Sequence, residues 1–229
     1  MIDVALKSND LRPAGVTVVI DVLRATSTIA QALDGGYARV LCTATLDDGL
    51  ALRAPGRVLA GEQRCLPPDG FDLGNSPAGV ATATGTELVI CTTNGAPAIV
   101  AAAGAADEVL LGSLLNLDAL VECLRAEDRT DDLLLVCSGT NGRLAIEDIY
   151  VAGRIVAALG GPATDAARTA ELVAAATRST TELFENSMNG RVLVDVGLAQ
   201  DIAWCVRESV LQVVPRVVES TTSVATITA

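Results

Sequence analysis

The sequence predicts an α/β fold, layered α/β/α around a largely parallel or mixed sheet. Three observations predict it. Apolar runs of strand length recur without polar alternation, as in Val16–Leu23, so those strands are expected to be covered on both faces. Segments of helical spacing alternate with them along the chain. Half of the 229 residues are hydrophobic but only 2% are aromatic, so Ala, Val, Leu and Ile must fill the space between layers.

The elements follow in order. The strand Val16–Leu23 is followed by a helix over Ala25–Leu33, closed by Gly35-Gly36. Arg39–Thr43 reads as a strand, the region near Asp47–Arg53 as a short helix and Arg57–Gly61 as a third strand. Ser76–Ala83 is expected to be helical, because Pro77 suits a first turn. Strands over Glu87–Thr92, Val109–Gly112 and Leu133–Cys137 alternate with helices over Ala96–Ala103, Leu117–Ala126 and Leu144–Leu159. The last of these stops at Gly160-Gly161. Thr164–Ser187 is Ala-rich and helical, Val192–Val194 is a short apolar segment, and Ala199–Glu208 is a helix. The tail VPRVVESTTSVATITA is β-prone and is expected to add one strand. The reading is a single domain over 1–229, with a possible smaller helical sub-region over 162–229.

Charge and composition narrow the function. The net charge is −12, which disfavours nucleic acid and anionic membrane surfaces, since both demand clustered Lys and Arg. No apolar run approaches a membrane span, and MIDVALKSND lacks a signal-peptide h-region. The six cysteines are widely scattered, the usage of a reduced, cytoplasmic protein rather than of a disulfide or zinc framework. There is no histidine, which removes Ser-His-Asp hydrolases, histidine phosphatases and His-ligated metals.

In open α/β sheets ligands bind beyond the carboxyl ends of the strands, and the loops expected there are rich in polar groups. They are DVLRATST from Asp21, GEQRCLPPDGFDLGNSP from Gly61, CTTNGAPA from Cys91, GSLLN from Gly112 and CSGTNGRLAIED from Cys137. Any one of them alone reads as ordinary turn and N-cap chemistry. Together they place Asp21, Glu62, Asp72, Glu147 and Asp148 among Thr, Ser, Asn and Gly. Hydroxyls and helix N-terminal N–H groups suit an oxyanion. Clustered carboxylates repel an anion unless a divalent cation lies between, and oxygen-only ligands suit Mg²⁺. The expected ligand is therefore a small anionic phosphoester with Mg²⁺, held without nucleic acid or membrane and with room left for a homodimer.

A Walker loop and the dinucleotide G-x-G-x-x-G are absent, and Leu23 stands where an aspartyl-phosphate enzyme of the haloacid dehalogenase kind carries its second Asp. Cys137 to Arg143 does match C-x5-R, the phosphate loop of cysteine phosphatases, although Val136 and Leu144 replace its usual His and Ser/Thr neighbours. Two alternatives stay open beside a metal-dependent hydrolase: a Cys137 nucleophile, and a module that binds an anionic metabolite without turnover.

VVIDVLRATSTI, GE…GFDLGNSP, TTNG and CSGTNG…ED…AG, running from about Val18 to Gly153, resemble the 2-phosphosulfolactate phosphatases of coenzyme M biosynthesis. The resemblance implies a family-specific α/β fold and Mg²⁺-dependent conversion of 2-phospho-3-sulfolactate to sulfolactate and phosphate. By position it places Asp21, Arg24, Thr26 and Ser27 in a first motif and Glu62, Asp72, Asn75 and Ser76 in a second. Thr92, Thr93, Asn94 and Gly95 form a third, and Cys137, Ser138, Gly139, Thr140, Asn141, Glu147 and Asp148 a fourth. Asp21, Arg24, Glu62 and Cys137 are the catalytic candidates, and Asp21, Asp72, Glu147 and Asp148 the metal candidates. The remaining motif positions are expected to bind substrate. The family tends to read Gly-Glu-Arg; here Gly61-Glu62-Gln63 stands instead, with Arg64 one place later as the corresponding substrate-binding candidate.

Overall fold

The computed structural model describes residues 1–126 and 130–229. Among the described residues ten strands build one mixed sheet, and helices cover both of its faces. The strands are β1 (Ile2–Ala5), β2 (Ala14–Ile20), β3 (Arg39–Thr43), β4 (Arg57–Gly61), β5 (Leu73–Gly74), β6 (Glu87–Cys91), β7 (Ala106–Gly112), β8 (Leu133–Cys137), β9 (Arg216–Ser220) and β10 (Val224–Thr228). The helices are α1 (Ala25–Asp34), α2 (Leu46–Ala51), α3 (Pro77–Thr82), α4 (Gly95–Ala103), α5 (Leu117–Ala126), α6 (Ile146–Leu159), α7 (Asp165–Ala176), α8 (Thr180–Asn186), α9 (Met188–Asp195) and α10 (Ala199–Cys205). Among the described residues no helix is long and apolar enough to cross a membrane.

β8 and the carboxyl-terminal half of β2 are apolar because each faces two cores, whereas β9 carries polar residues and is largely exposed. Val18 and Ile20 point into one cluster with Leu133, Leu135 and the α6 residues Ile149, Val151 and Ile155. Val19 points into the other with Ile29 of α1 and Ile99 of α4. Successive side chains of a strand alternate between faces, so a run without polar residues is what a sheet buried on both sides requires. Short polar residues start the helices. Thr45, Ser76, Thr164, Ser179 and Ser187 each accept a backbone N–H from the first turn of the helix they precede, and Pro77 occupies the first turn of α3.

The tail differs from the expected single strand. It forms the hairpin β9–β10, and this hairpin lies in the middle of the sheet, whose order is β1-β8-β2-β7-β9-β10-β3-β6-β4-β5. On one side β1, β8, β2 and β7 are mutually parallel; on the other β3, β6, β4 and β5 are. The hairpin joins them through three antiparallel pairings, so the two parallel blocks run in opposite directions. Their carboxyl ends do not share one edge of a flat sheet, as alternation alone suggests. Twist brings them together. At roughly 20–25° per strand pair, the five steps from β2 to β6 accumulate about 100–125°, turning opposed strands to within about 55–80° of a common direction. Other departures are local. The first strand stops at Ile20, β1 and β5 are additional, and Val192–Val194 belongs to the helix α9. The stretch 164–187 breaks at Ser179, which caps α8.

Candidate active site

The loops of the two blocks meet directly and through α10. Arg24 Nη2 donates to the Cys65 carbonyl at 2.9 Å. Asn141 donates its backbone N–H to Asn94 Oδ1 at 2.9 Å. Gly95 lies so close to Asp21 that a Cβ there would stand 2.4 Å from Asp21 Oδ2. Ser76, from the second block, reaches Asp201, the acid that also holds Arg24. Between these contacts lies an inner cavity of about 40 Å³, lined by Asp21, Arg24, Glu62, Asn75, Asn94 and Asn189 among others. A water centre needs on the order of 10–15 Å³, so the space suits a phosphoryl group and not a nucleoside. It opens into an outer groove of about 410 Å³ that shares Glu62, Cys65, Asn94 and Asn189. The walls of the groove are two tight turns. One is closed between Gln63 and Leu66, the other between Thr140 and Arg143. Both central residues of each, Arg64 and Cys65 in one and Asn141 and Gly142 in the other, have positive φ, the geometry in which Asn-Gly is favoured.

Asp21 explains why an apolar strand ends in an acid. Its Oδ1 accepts the Ala25 N–H at 3.1 Å and so caps α1. No donor among the described residues meets Oδ2, and the residue lines the cavity. Burial pushes its titration up to about 7; the Ala25 N–H opposes this, the charges of Glu62 and Glu147 add to it, and Arg24 opposes it. Glu62 accepts the N–H groups of Thr93 at 2.6 Å and Cys65 at 2.9 Å, which fixes it at the junction of cavity and groove. Asn75 is buried, and its Oδ1 has no hydrogen-bond partner.

Other expected residues take different places. The hydroxyls of Thr26 and Ser27 do not face an anion. Thr26 Oγ1 lies 2.8 Å from the Gly112 carbonyl and 2.9 Å from that of Asp21, and Ser27 Oγ donates to the Val22 carbonyl. Both knit the strand-to-helix turn. Thr92 Oγ1 accepts the Ala96 N–H at the start of α4 while the residue still lines the cavity. Thr93, Thr140, Asn141 and Arg64 border the outer groove. Ser76 caps α3, Ser138 is buried with an unpartnered hydroxyl, and Gly139 turns the chain at positive φ.

Of the four acids expected to hold a metal, only Asp21 lines the cavity. Asp148 spans the ends of β2 and β8, its oxygens accepting the N–H groups of Val22 and Gly139. Glu147 is buried beside Ser187 and Asn189, with neither oxygen in a full hydrogen bond. Burial raises both titrations, Asp148 well above the usual range. Asp72 is elsewhere: exposed, paired with Arg53 and accepting the Leu59 N–H, it fastens its loop to β4. Among the described residues no three acidic or thiol side chains converge as a ready-made metal cage. The donor chemistry of the cavity nevertheless fits Mg²⁺, which commonly takes one or two carboxylates and leaves its other positions to water and phosphate oxygens. Glu62 and the unpartnered Asn75 Oδ1, with Asp21 beside them, are such a set.

The Cys137 thiol lies in the apolar core. Burial, with the charges of Asp148 and Glu147, pushes its titration well up, and Arg143 is exposed on the adjoining turn. A thiolate phosphate cradle needs the reverse, an exposed sulfur stabilised by positive charge. The C-x5-R match is therefore a strand end followed by a tight turn.

Two residues of the site came from beyond the recognised motifs. Asn189 of α9 lines both cavity and groove and donates to Thr140 Oγ1 at 2.7 Å. Asp201 of α10 is wholly buried and pairs with Arg24. The second carried a signal: an acid within the apolar helix AQDIAWC demands a buried partner.

The family model for 2-phosphosulpholactate phosphatase matches residues 3–220. A protein from Thermotoga petrophila named "Probable 2-phosphosulfolactate phosphatase" is 37% identical, the match covering 95% of this chain and 96% of the relative. Proteins of the same name from Deinococcus radiodurans and Clostridium acetobutylicum are 37% and 31% identical over 89% and 94% of this chain, and 88% and 96% of those relatives are covered. The match runs through both sheet blocks and every loop that borders the cavity: the chain belongs to the 2-phosphosulpholactate phosphatase family.

Proposed function

We propose that this protein hydrolyses the phosphate monoester of a small acid, 2-phospho-3-sulfolactate, to 3-sulfolactate and phosphate, with Mg²⁺, in the pathway to coenzyme M. The observation that carries the reading is Arg24, among the described residues the one cation lining a small cavity whose polar walls include Asp21, Glu62 and the amides of Asn75, Asn94 and Asn189, in a chain of net charge −12. Such a cavity takes a compact anion only when that anion brings or meets a compensating cation.

The phosphoryl group occupies the inner cavity, where Arg24 and the Asn94 and Asn189 amides meet its oxygens, and the acid part lies in the outer groove beside Arg64. Glu62 and Asn75, with Asp21 adjoining, would hold Mg²⁺, which when bound shields phosphoryl charge and acidifies water. Asp21 Oδ2 takes the proton of the water that attacks phosphorus. The ester P–O bond breaks, and the proton returns to the leaving oxygen. A carboxyl group titrating near neutrality suits both transfers.

Phosphate release from a panel of phosphorylated hydroxy acids, phosphosulfolactate among them, tests the proposal. Release that stops on exhaustive chelation and returns with Mg²⁺ is expected. Release unaffected by chelation overturns the metal assignment, and binding without release from any ester leaves an anionic-metabolite module.

A further inference from the structure

The C-terminal helices bring to the site an acid that no motif announces. Asp201 is wholly buried in α10. Its Oδ2 stands 2.5 Å from Arg24 Nη1, and its Oδ1 accepts the Ser76 hydroxyl at 2.6 Å. Arg24 Nη2 donates to the Cys65 carbonyl. A carboxylate this far from water is costly unless fully paired, and here each oxygen has a partner. A guanidinium carries five N–H donors in a rigid plane. Two are held by Asp201 and Cys65, one on each terminal nitrogen, so the plane is fixed while the other donors remain. Arg24 also borders the inner cavity.

We propose that Asp201 is the positioning residue of the site, aiming the free donors of Arg24 at a phosphoryl group, with Ser76 holding Asp201 in turn. The inference rests on the reading of the cavity as a phosphoester site. Its structural basis is that residues 24, 76 and 201, from three distant parts of the chain, converge on one hydrogen-bonded chain whose end, Arg24, lines the cavity. A pair that only balanced charge for folding has no need of that location. The geometry also makes the C-terminal helices part of the binding apparatus: α10 fixes the cation while α9 supplies Asn189.

The test is inorganic phosphate binding by calorimetry, with and without Mg²⁺, beside turnover and thermal unfolding, for wild type, Asp201→Asn, Ser76→Ala, Arg24→Ala and the Arg24→Ala/Asp201→Asn double variant. Asn keeps the shape and can still accept from Arg24, so a folded protein is expected. Asp201→Asn should weaken phosphate by about tenfold or more and lower kcat/KM further, out of proportion to any change in Tm. In the Arg24→Ala background the same change should have almost no effect on phosphate, the signature of residues acting as a unit. Wild-type phosphate affinity in folded Asp201→Asn, or losses that add to those of Arg24→Ala, overturns the proposal. Should Asp201→Asn fail to fold, Ser76→Ala decides: a several-fold loss of phosphate affinity supports the proposal, and unchanged affinity overturns it. A wild type that binds phosphate but releases none from esters sinks the hydrolase reading alone. A wild type that does not bind phosphate sinks this inference as well.

Discussion

Asn94 Oδ1 accepts the backbone N–H of Asn141 across 2.9 Å, joining the loop after β6 to the loop after β8. The bond fastens the two oppositely running blocks at the mouth of the cavity. A hydrogen bond of this kind contributes about 0.5–1.5 kcal/mol net. Asn94→Ala should therefore lower Tm by only a few degrees while reducing kcat/KM by about tenfold or more, because the loops lose register and the cavity an amide. Steady-state kinetics beside thermal unfolding checks this; an equal loss in both would reduce Asn94 to a structural clamp.

Gly95 leaves no space for a side chain. A Cβ would stand 2.4 Å from Asp21 Oδ2 and 2.6 Å from Ala25 Cβ. Gly95→Ala should cost roughly 1–3 kcal/mol from overpacking. It should also displace the carboxylate, and a misplacement near 1 Å costs about 100-fold in rate. A folded Gly95→Ala protein with wild-type turnover would show that Asp21 Oδ2 is not a reacting group.

The titration of Asp21 has two opposite consequences. In the unfolded chain its pKa is the ordinary 3.8, in the folded protein about 7. Between those values the folded state keeps a proton that the unfolded state has released. The stability this group contributes is therefore complete below about pH 4 and lost as pH rises to about 7. Glu147 and Asp148 shift in the same direction. The metal-free protein should melt at a lower temperature at pH 8 than at pH 5, and Mg²⁺ should restore stability at pH 8 by binding the ionised acids. Turnover with Mg²⁺ should instead rise with pH as Asp21 becomes able to take a proton, with the limb moved below 7 by the adjoining cation. Asp21→Asn should abolish that limb, with little change in Tm at pH 5, since Asn also caps a helix, and a smaller metal-free fall in Tm towards pH 8. A melting temperature rising from pH 5 to pH 8 without metal contradicts the first half, and an unchanged pH profile in Asp21→Asn the second.

Cys137→Ser separates a core thiol from a nucleophile. Putting a hydroxyl into that apolar site should cost about 1–3 kcal/mol and lower Tm by several degrees. Turnover per folded molecule should stay within a few-fold of wild type. Near-zero turnover with intact phosphate binding would restore the thiolate mechanism.

The strands were legible because a sheet buried on both faces leaves an unmistakable trace of consecutive apolar residues, and the loops because Asp, Asn, Ser and Gly cluster after them. What each polar side chain does was not legible. Thr26 and Ser27 look the same in sequence whether they face a phosphate or tie a turn; only the carbonyls of Gly112 and Val22 decide. Asp72 and Asp148 were grouped with Asp21 by type and position, yet the Arg53 guanidinium and two backbone N–H groups claim them. The reversal of one sheet block was hidden because it depends on a tail hairpin whose pairing partners lie over 100 residues away. Asn189 was hidden for the same reason, and so was the partner of Asp201, whose apolar setting signals only that a partner exists: nothing local to an α-helix records which distant loop it will pack against.

That hairpin has a consequence for the order of assembly. Its residues are translated after every other element described, and they occupy the centre of the sheet. On one side β9 touches β7 through a single register pair, Leu110 with Arg216, and a bond from Leu111 to the Pro215 carbonyl. On the other, β10 zips along β3 over four pairs. During synthesis the two blocks must therefore wait, each with an open edge, until the hairpin leaves the ribosome. Non-local pairing of this kind folds slowly and exposes strand edges meanwhile. The cavity, whose walls come from both blocks, is thus completed only once the hairpin is made, and a nascent chain short of β9 and β10 should bind no phosphate at all.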